Sequence, residues 1–431
     1  VSRLVIASLA IEVGSILQLE FRMNAVFTDD GRKLLEQASH RIMSVEDTLS
    51  RISPLAKQFG ITRVANITGL DRLGVPVAIA VRPNSKSVAV SQGKGSTLLH
   101  AKVSAMMESI EIWHAENFPG PVYYGKKQDL LQDWNFVDTK RLPKQPDAEF
   151  SDTTQMLWVE GKDLFSGNSV LVPFEMIHAD YTRPVAPTHG IFPASTNGLA
   201  SGNSNLEATC HALAEVIERD ALSLWHFADA SYKQDRSINP ATVKEDECLQ
   251  LCERIEQAGL VCGLWDITSD VGVPTMLCIL RDGRERNGHI GLGSGCHPTS
   301  TVALRRAITE AAQTRLNYVS GARDDLDPAE YDEDGRMRKR SFADEELADQ
   351  SHALNFNAIP SFLNQCHSED LGLMLDSLAR VGISEAIWVD LGREEFAIPV
   401  ARLVVPGLES PHDDDQYVIG PRARKFYDHG R

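Results

Sequence analysis

Apolar residues recur along this chain in two rhythms. Over 45–58 they fall at helical spacing, with Leu49, Ile52 and Leu55 on one side. Val77 to Val81 is an unbroken apolar run after the turn residues Gly69, Gly74 and Pro76, which predicts a short buried strand. S-Q-G-K-G (91–95) reads as a loop that opens a long helical pattern over 97–116. Residues 120–150 are turn-rich and polar, a linker or an excursion, and strand-like runs follow near 155–160 and 169–173. A second loop, N-G-L-A-S-G-N (197–203), opens a helix over 204–227. Another helix is predicted at 245–258 and strands at 259–266 and 274–280. A third loop, G-L-G-S-G-C-H-P (291–298), opens a helix over 301–320. Charge dominates 324–350, which reads as a solvated insertion or loop without chemistry. Strands at 386–391 and 396–405 precede a polar tail. Helices and strands alternate without a regular βαβ repeat, so the predicted class is α+β, with mixed sheets and long helices.

The 431 residues, 42% of them hydrophobic, suffice for a sizeable core in two or three domains or one large enzyme domain. The run from Leu4 to Leu19 is broken by Glu12 and too short for a membrane span, and no signal-peptide pattern is evident. The chain begins with Val, and Met23 is a candidate start, so residues 1–37 are set apart as an extension. A formal net charge of −17 argues against nucleic acid or an anionic membrane as a partner of the general surface. Seven irregularly spaced cysteines, with no C-x-x-C pair, predict neither a disulfide framework nor a zinc knuckle but free thiols in a cytoplasmic protein. Cys248 and Cys252, at i and i+4 of a helix, read as packing residues.

The three long helices carry acids in stripes. Ser104, Glu108 and Glu111 share one face of the first, with Trp113 on another. In the second, Glu207, His211, Glu215 and Glu218 fill one sector, with Arg219 at its edge and Leu206, Leu213, Ile217 and Leu224 beside it. In the third, Arg306, Glu310, Gln313 and Asn317 form a stripe next to Leu304, Ala307, Ile308 and Ala311. One acidic stripe is ordinarily a solvated surface. Three of them behind glycine loops suggest convergence on hard cations, since Mg2+ prefers oxygen ligands and keeps substrate phosphates in its shell. Helix N-termini behind glycines offer N–H groups to phosphate, and Lys94, Arg219 and Arg306 suit phosphate oxygens. Carboxylates holding Mg2+, and Mg2+ holding a triphosphate, reconcile an acidic chain with an anionic ligand. S-Q-G-K-G is not a Walker A loop, because Gly95 follows Lys94, and 197–203 is not a dinucleotide fingerprint.

In combination these residues resemble the YcaO family over about 38–408. The first motif, S-x-x-x-E-x-x-E, is S-A-M-M-E-S-I-E at 104–111. The second joins Asn203 and Glu207 to E-V-I-E-R at 215–219, and the third is Arg306, Glu310 and Gln313. The resemblance implies Mg2+ ligation by Glu108, Glu111, Glu215, Glu218 and Glu310. It implies that Asn203 and Glu207 face the ribose of ATP, and that Arg219 and Arg306 contact phosphate. Lys94, Ser104 and Gln313 complete the ATP-binding set, with Arg41 and Thr48 as a looser match to a basic and a hydroxyl residue near the nucleotide. The family often has an arginine after the first motif, where this chain has Ile112. The implied architecture is one catalytic domain over 38–410 followed by a polar tail over 411–431.

The chemistry implied is ATP-dependent O-phosphorylation of a peptide backbone amide after a nucleophile adds to its carbonyl. A Cys, Ser or Thr side chain gives an azoline, and external sulfide a thioamide. The proline-rich tail of many azoline-forming members is missing, the chain ending P-R-A-R-K-F-Y-D-H-G-R. I-T-R-V-A-N-I-T-G-L-D-R-L-G-V-P-V (61–77) with R-P-N-S (82–85) is similar to the branch associated with TfuA proteins. The expectation is thioamidation of a peptide or protein substrate with a TfuA-like partner, with azoline formation as the alternative. The rival class is a non-catalytic scaffold of the same fold, which would be expected to have lost some of the five acids. His211 is a candidate general base, and a homodimer is left open.

Overall fold

The computed structural model describes residues 27, 31–34, 40–184, 190–284, 289–348, 354–413 and 417–429. The run Leu4–Leu19 and Met23 lie outside them. Ser44 Oγ accepts the Asp47 amide at 3.1 Å and starts helix α1 (Val45–Ile52). Pro54, which lacks an amide proton, ends it sooner than the apolar spacing predicts, in a 3-10 turn over Ser53–Leu55. Strands β1 (Arg63–Asn66), β2 (Val77–Val81) and β3 (Val90–Lys94) form an antiparallel sheet, and α2 (Leu98–Glu116) folds back on it.

The excursion at 120–150 has more structure than its composition suggested. It contributes β4 (Tyr123–Lys126), the short helix α3 (Lys127–Leu130) and β5 (Asn135–Phe136), and it buries Val137 and Leu142. Strands β6 (Gln155–Asp163), β7 (Ser169–Pro173) and β8 (Leu199–Ser201) lead to α4 (Asn205–Phe227), α5 (Ala230–Gln234) and α6 (Asp246–Gln257). A second antiparallel sheet, β9 (Leu260–Asp266), β10 (Thr275–Asp282) and β11 (Gly291–Cys296), is covered by α7 (Ser300–Ser320). Helices α8 (Glu333–Glu346) and α9 (His367–Arg380) precede β12 (Ile387–Asp390), β13 (Val400–Val404) and α10 (Pro421–His429). The largest sheet runs β5-β7-β6-β12-β13-β8, with β4 paired to β6.

Two of the predicted glycine loops are strands. Residues 91–94 belong to β3 and 291–296 are β11, and each lies under the helix that follows it. A Cβ on Gly93 would stand 2.1 Å from the Ala105 amide nitrogen, and one on Gly293 would stand 2.2 Å from that of Ala311. The glycines there let a helix backbone settle onto a strand. They escape a periodicity reading because glycine contributes no apolar side chain to either face.

The charged stretch 324–350 also differs from the expected loop. It carries α8, whose Ala343 is fully buried and whose charges pair outward, Arg281 Nε with Asp344 at 3.1 Å and Lys233 Nζ with Glu346 at 2.5 Å. The closing stretch, read as a polar tail, carries α10, which packs on α4. All seven cysteines are free, and Cys248 is fully buried in packing.

Candidate active site

The three long helices meet around one cavity of about 880 Å³. Two of them start at side-chain caps. Thr97 Oγ1 accepts the His100 amide and starts α2, and Ser204 Oγ accepts the Glu207 amide and starts α4. The apolar faces Leu206–Leu213–Ile217–Leu224 and Leu304–Ala307–Ile308–Ala311 are buried against the sheets, which turns the acidic stripes inward.

Every site residue anticipated from the sequence lines this cavity: Arg41, Thr48, Lys94, Ser104, Glu108, Glu111, Asn203, Glu207, His211, Glu215, Glu218, Arg219, Arg306, Glu310 and Gln313. At one end Arg41 Nη1 lies 2.9 Å from Glu207 Oε1, and Thr48 Oγ1 donates to Asn203 Oδ1 at 3.2 Å. Glu207 also accepts the Ile42 amide at 3.0 Å and the Asn203 amide at 3.2 Å. Burial pushes this carboxyl up, but Arg41 and the Ile42 amide outweigh it, and it lies below the usual range.

The acids of the middle stretch are held by strand amides. Gln92 N of β3 donates to Glu108 Oε1 at 3.3 Å, and Ser201 N of β8 donates to Glu111 Oε2 at 2.6 Å. Cys296 N of β11 donates to Glu218 Oε2 at 2.8 Å, while Ser294 Oγ donates to its other oxygen at 2.6 Å. Lys94 Nζ bridges to Glu310 Oε2 at 2.5 Å. The strands that accept the helices so closely therefore also fix their carboxylates.

Burial makes these acids reluctant to ionise, except Glu310, which Lys94 and Arg219 hold below the usual range in spite of burial. Burial pushes Glu108 up to about 7 against the pull of the Gln92 amide, Arg323 and Lys94. Burial, helped by Glu215 and Glu108, raises Glu111 well above the usual range. Burial also pushes Glu215 up to about 7, with Glu218 and Glu310 adding to it against Arg219. Arg306 is lowered to about 10 by burial and by Arg41.

Among the described residues no three histidine, cysteine or acidic groups are gathered closely enough to surround one ion. The donor set nonetheless fits Mg2+. It consists of carboxylate oxygens with lone pairs beyond those already given to strand amides or neighbouring cations. Mg2+ commonly takes only one or two carboxylates and completes its octahedron with water and substrate phosphate. His211 is half-buried and held well below the ordinary histidine range by burial, with Arg306 and Arg41 adding to it. So weak a base is poorly matched to removing a proton at neutral pH.

The cavity also holds residues that the motif reading passed over. Gln92 is 2% exposed, lines the cavity, and has no hydrogen-bond partner for either side-chain amide atom among the described residues. It sits beside Glu108 through its amide and accepts Gln313 Nε2 on its carbonyl at 3.1 Å. Reading 91–95 as a loop hid it, because only strand alternation puts its side chain on the face opposite to Ser91. Arg323, Trp225 and His412 also line the cavity, and Arg323 acts on Glu108 and Arg219 on His412 although none of the three belongs to a motif.

Comparison with known proteins agrees with this architecture. Residues 92–409 match the family model described as YcaO cyclodehydratase, ATP- and Mg2+-binding, and the chain belongs to that family, whose cofactors are ATP and Mg2+. An uncharacterized protein in the tfuA 3′ region of Rhizobium leguminosarum bv. trifolii is 32% identical over 89% of this chain and 92% of its own length. An uncharacterized Mycobacterium tuberculosis H37Rv protein is 35% identical over 86% of this chain and 82% of its own. Among solved structures, YcaO from Methanopyrus kandleri bound with AMPPCP and Mg2+ superposes with a TM-score of 0.72 at 23% identity, over 91% of this chain and 98% of that one. A heterocyclase in complex with substrate and cofactor also gives 0.72, at 20% identity over 89% of this chain, which spans only 54% of the heterocyclase. At these identities the structural likenesses establish the fold. No described helix is long and apolar enough to cross a membrane.

Proposed function

We propose that this enzyme uses ATP and Mg2+ to activate a backbone amide of a peptide or protein, and that it does so for thioamide formation together with a TfuA-like partner. The observation that carries the reading is the girdle of Glu108, Glu111, Glu215, Glu218 and Glu310, drawn from three helices to one cavity. In this reading the five carboxylates hold Mg2+, and Asn203 and Glu207 face the ribose. Lys94, Arg219 and Arg306 receive phosphate oxygens, with Ser104, Gln313, Arg41 and Thr48 around the nucleotide. Bound Mg2+ offsets charge on the transferring phosphoryl group. A sulfur nucleophile adds to the amide carbon, the carbonyl oxygen takes the γ-phosphoryl group and leaves as inorganic phosphate, and sulfur stays in its place.

The relative in the tfuA 3′ region supports the TfuA-like partner. Azoline formation is the second reading, and the cyclodehydratase description of the family favours it. One experiment separates the two. The enzyme is combined with the TfuA-like protein of its own genome, ATP, Mg2+, sulfide and a candidate peptide, and the product is analysed by mass spectrometry. Exchange of oxygen for sulfur supports thioamidation. Loss of one water without sulfide incorporation supports the azoline. ATP consumption that no peptide or sulfur donor alters removes both.

A further inference from the structure

Along α7 the residues that line the cavity run from Arg306 through Glu310 and Gln313 to Asn317, about 16 Å of helix rise. Arg306 stands at the end where Arg41 meets Glu207, and it feels the charge of Arg41. Arg323 follows the other end of the helix and also lines the cavity. Gly321, at φ 56°, closes α7 in the left-handed conformation. The turn after it is fixed at two points. Ala322 packs against the cluster of Ile67, Val77, Ile79, Val90 and Leu316, and Asp324 accepts the Ala89 amide at 3.3 Å just before β3.

Arg323 is held by a partner outside the carboxylate girdle. Its Nε donates to Asp325 Oδ1 at 2.7 Å and its Nη2 to Asp325 Oδ2. That grip uses one edge of the guanidinium. The Nη1 donors have no partner among the described residues, and 29% of the side chain is exposed. Lys94 and Arg219 differ, because they lean on Glu310 and Glu215, two of the acids read as Mg2+ ligands. Metal at those acids takes away their partners and leaves the Asp325 grip in place. Burial pushes Glu108 up, and among the cations that pull it back Arg323 acts ahead of Lys94, so Arg323 stands close to the girdle.

We infer that Arg323 is a further catalytic residue, whose Nη1 edge, aimed by Asp325, receives oxygens of the γ-phosphoryl group at the end of the cavity opposite Glu207. The inference rests on the function proposed above. A guanidinium oriented in advance offsets charge on the transferring group with little reorganisation.

The test is calorimetry with Mg2+·AMPPCP and Mg2+·ADP on the full chain and on two variants. Arg323→Gln is expected to weaken Mg2+·AMPPCP about tenfold or more and to leave Mg2+·ADP, which lacks the γ-phosphate, within about twofold. Retained ADP binding shows that the variant is folded. Asp325→Asn separates contact from charge. Removing an anion beside the site by itself tightens a triphosphate, whereas loosening Arg323 weakens it. A fall of about threefold or more for Mg2+·AMPPCP is expected in this variant. Unchanged AMPPCP affinity in Arg323→Gln, an equal loss for the two nucleotides, or tighter AMPPCP binding in Asp325→Asn overturns the role of Arg323 alone. Wild-type protein that binds neither nucleotide with Mg2+ overturns the function proposed above.

Discussion

The Arg422 guanidinium grips the Asp220 carboxylate with two parallel donors, Nε 2.8 Å from Oδ1 and Nη2 2.9 Å from Oδ2. Asp220 is the residue after Arg219 of the site, and its side chain is fully buried. Glu409 caps the same helix, accepting the amides of Gly420, Arg422 and Ala423 at 2.9 Å each. Helix α10 is thus clamped beside the carboxylate girdle.

Arg422→Ala leaves a buried carboxylate without its partner, which costs roughly 3–5 kcal/mol. A thermal midpoint lowered by several degrees is expected, and Arg422→Lys falls between the two because it keeps charge but loses the fork. A midpoint unchanged in Arg422→Ala would show that α10 contributes nothing to the fold.

Glu215 carries a signed pH prediction. Its folded value of about 7 lies above the ordinary 4.5. Between those values the folded chain keeps a proton that the unfolded chain has lost, so this group's contribution to stability falls as pH rises through the window. Glu215→Gln has no such proton to lose. Without ligand, the variant is expected to match the wild type at pH 4.5 and to exceed it at pH 8 by on the order of 1–3 kcal/mol. Denaturation at both pH values checks this. Mg2+·AMPPCP at pH 8 is expected to stabilise the wild type and not the variant. Glu333→Gln, exposed on α8, is expected to change neither quantity.

Chelation tests the metal directly. AMPPCP at a hundredfold excess over its Kd is expected to stabilise the Mg2+-loaded protein by about 2.7 kcal/mol. EDTA is expected to remove nearly all of that gain, because without cations the triphosphate faces five carboxylates. A gain that survives EDTA would refute metal-bridged binding.

Gly293→Ala is expected to destabilise by about 1–3 kcal/mol or more, since the added methyl meets the backbone of α7 and no flexible side chain can yield. Gly69→Ala, with open space around its Cβ position, is expected to stay within about 0.5 kcal/mol. Equal melting points for the two variants would contradict the close packing of β11 on α7.

Gln92→Leu removes a buried amide that lacks partners in the ligand-free protein. Its stability is expected to rise or hold, while its affinity for Mg2+·AMPPCP falls by at least about tenfold if the amide meets the nucleotide. Calorimetry beside a melting curve gives both quantities, and unaltered affinity would assign Gln92 to the scaffold.

The helices were legible because their apolar faces repeat at the right period, as Leu206, Leu213, Ile217 and Leu224 do. The convergence of the candidate residues on one cavity was legible because spacing on one helix restricts the direction of each acid. What spacing could not convey is which strand each acid leans on. Glu111 to Ser201 and Glu218 to Cys296 are pairings between distant segments, and no local pattern announces them. Helix α8 was missed for a related reason. Its acids pair with the distant Lys233 and Arg281, and its buried residues are only Gly335 and Ala343, which leave no apolar stripe to find.

The strand amides that hold the acids carry a further meaning for how the chain matures. Lys94 and Glu310, joined at 2.5 Å, stand 216 positions apart, and Ser201 with Glu111 and Cys296 with Glu218 stand 90 and 78 apart, while only Gln92 with Glu108 is a local brace. No early, locally formed fragment contains a working centre. Contacts of such sequence separation form late and slowly during folding. A nascent or half-folded chain therefore has no assembled pocket with which to squander ATP, and competence arrives only when the three helices have docked.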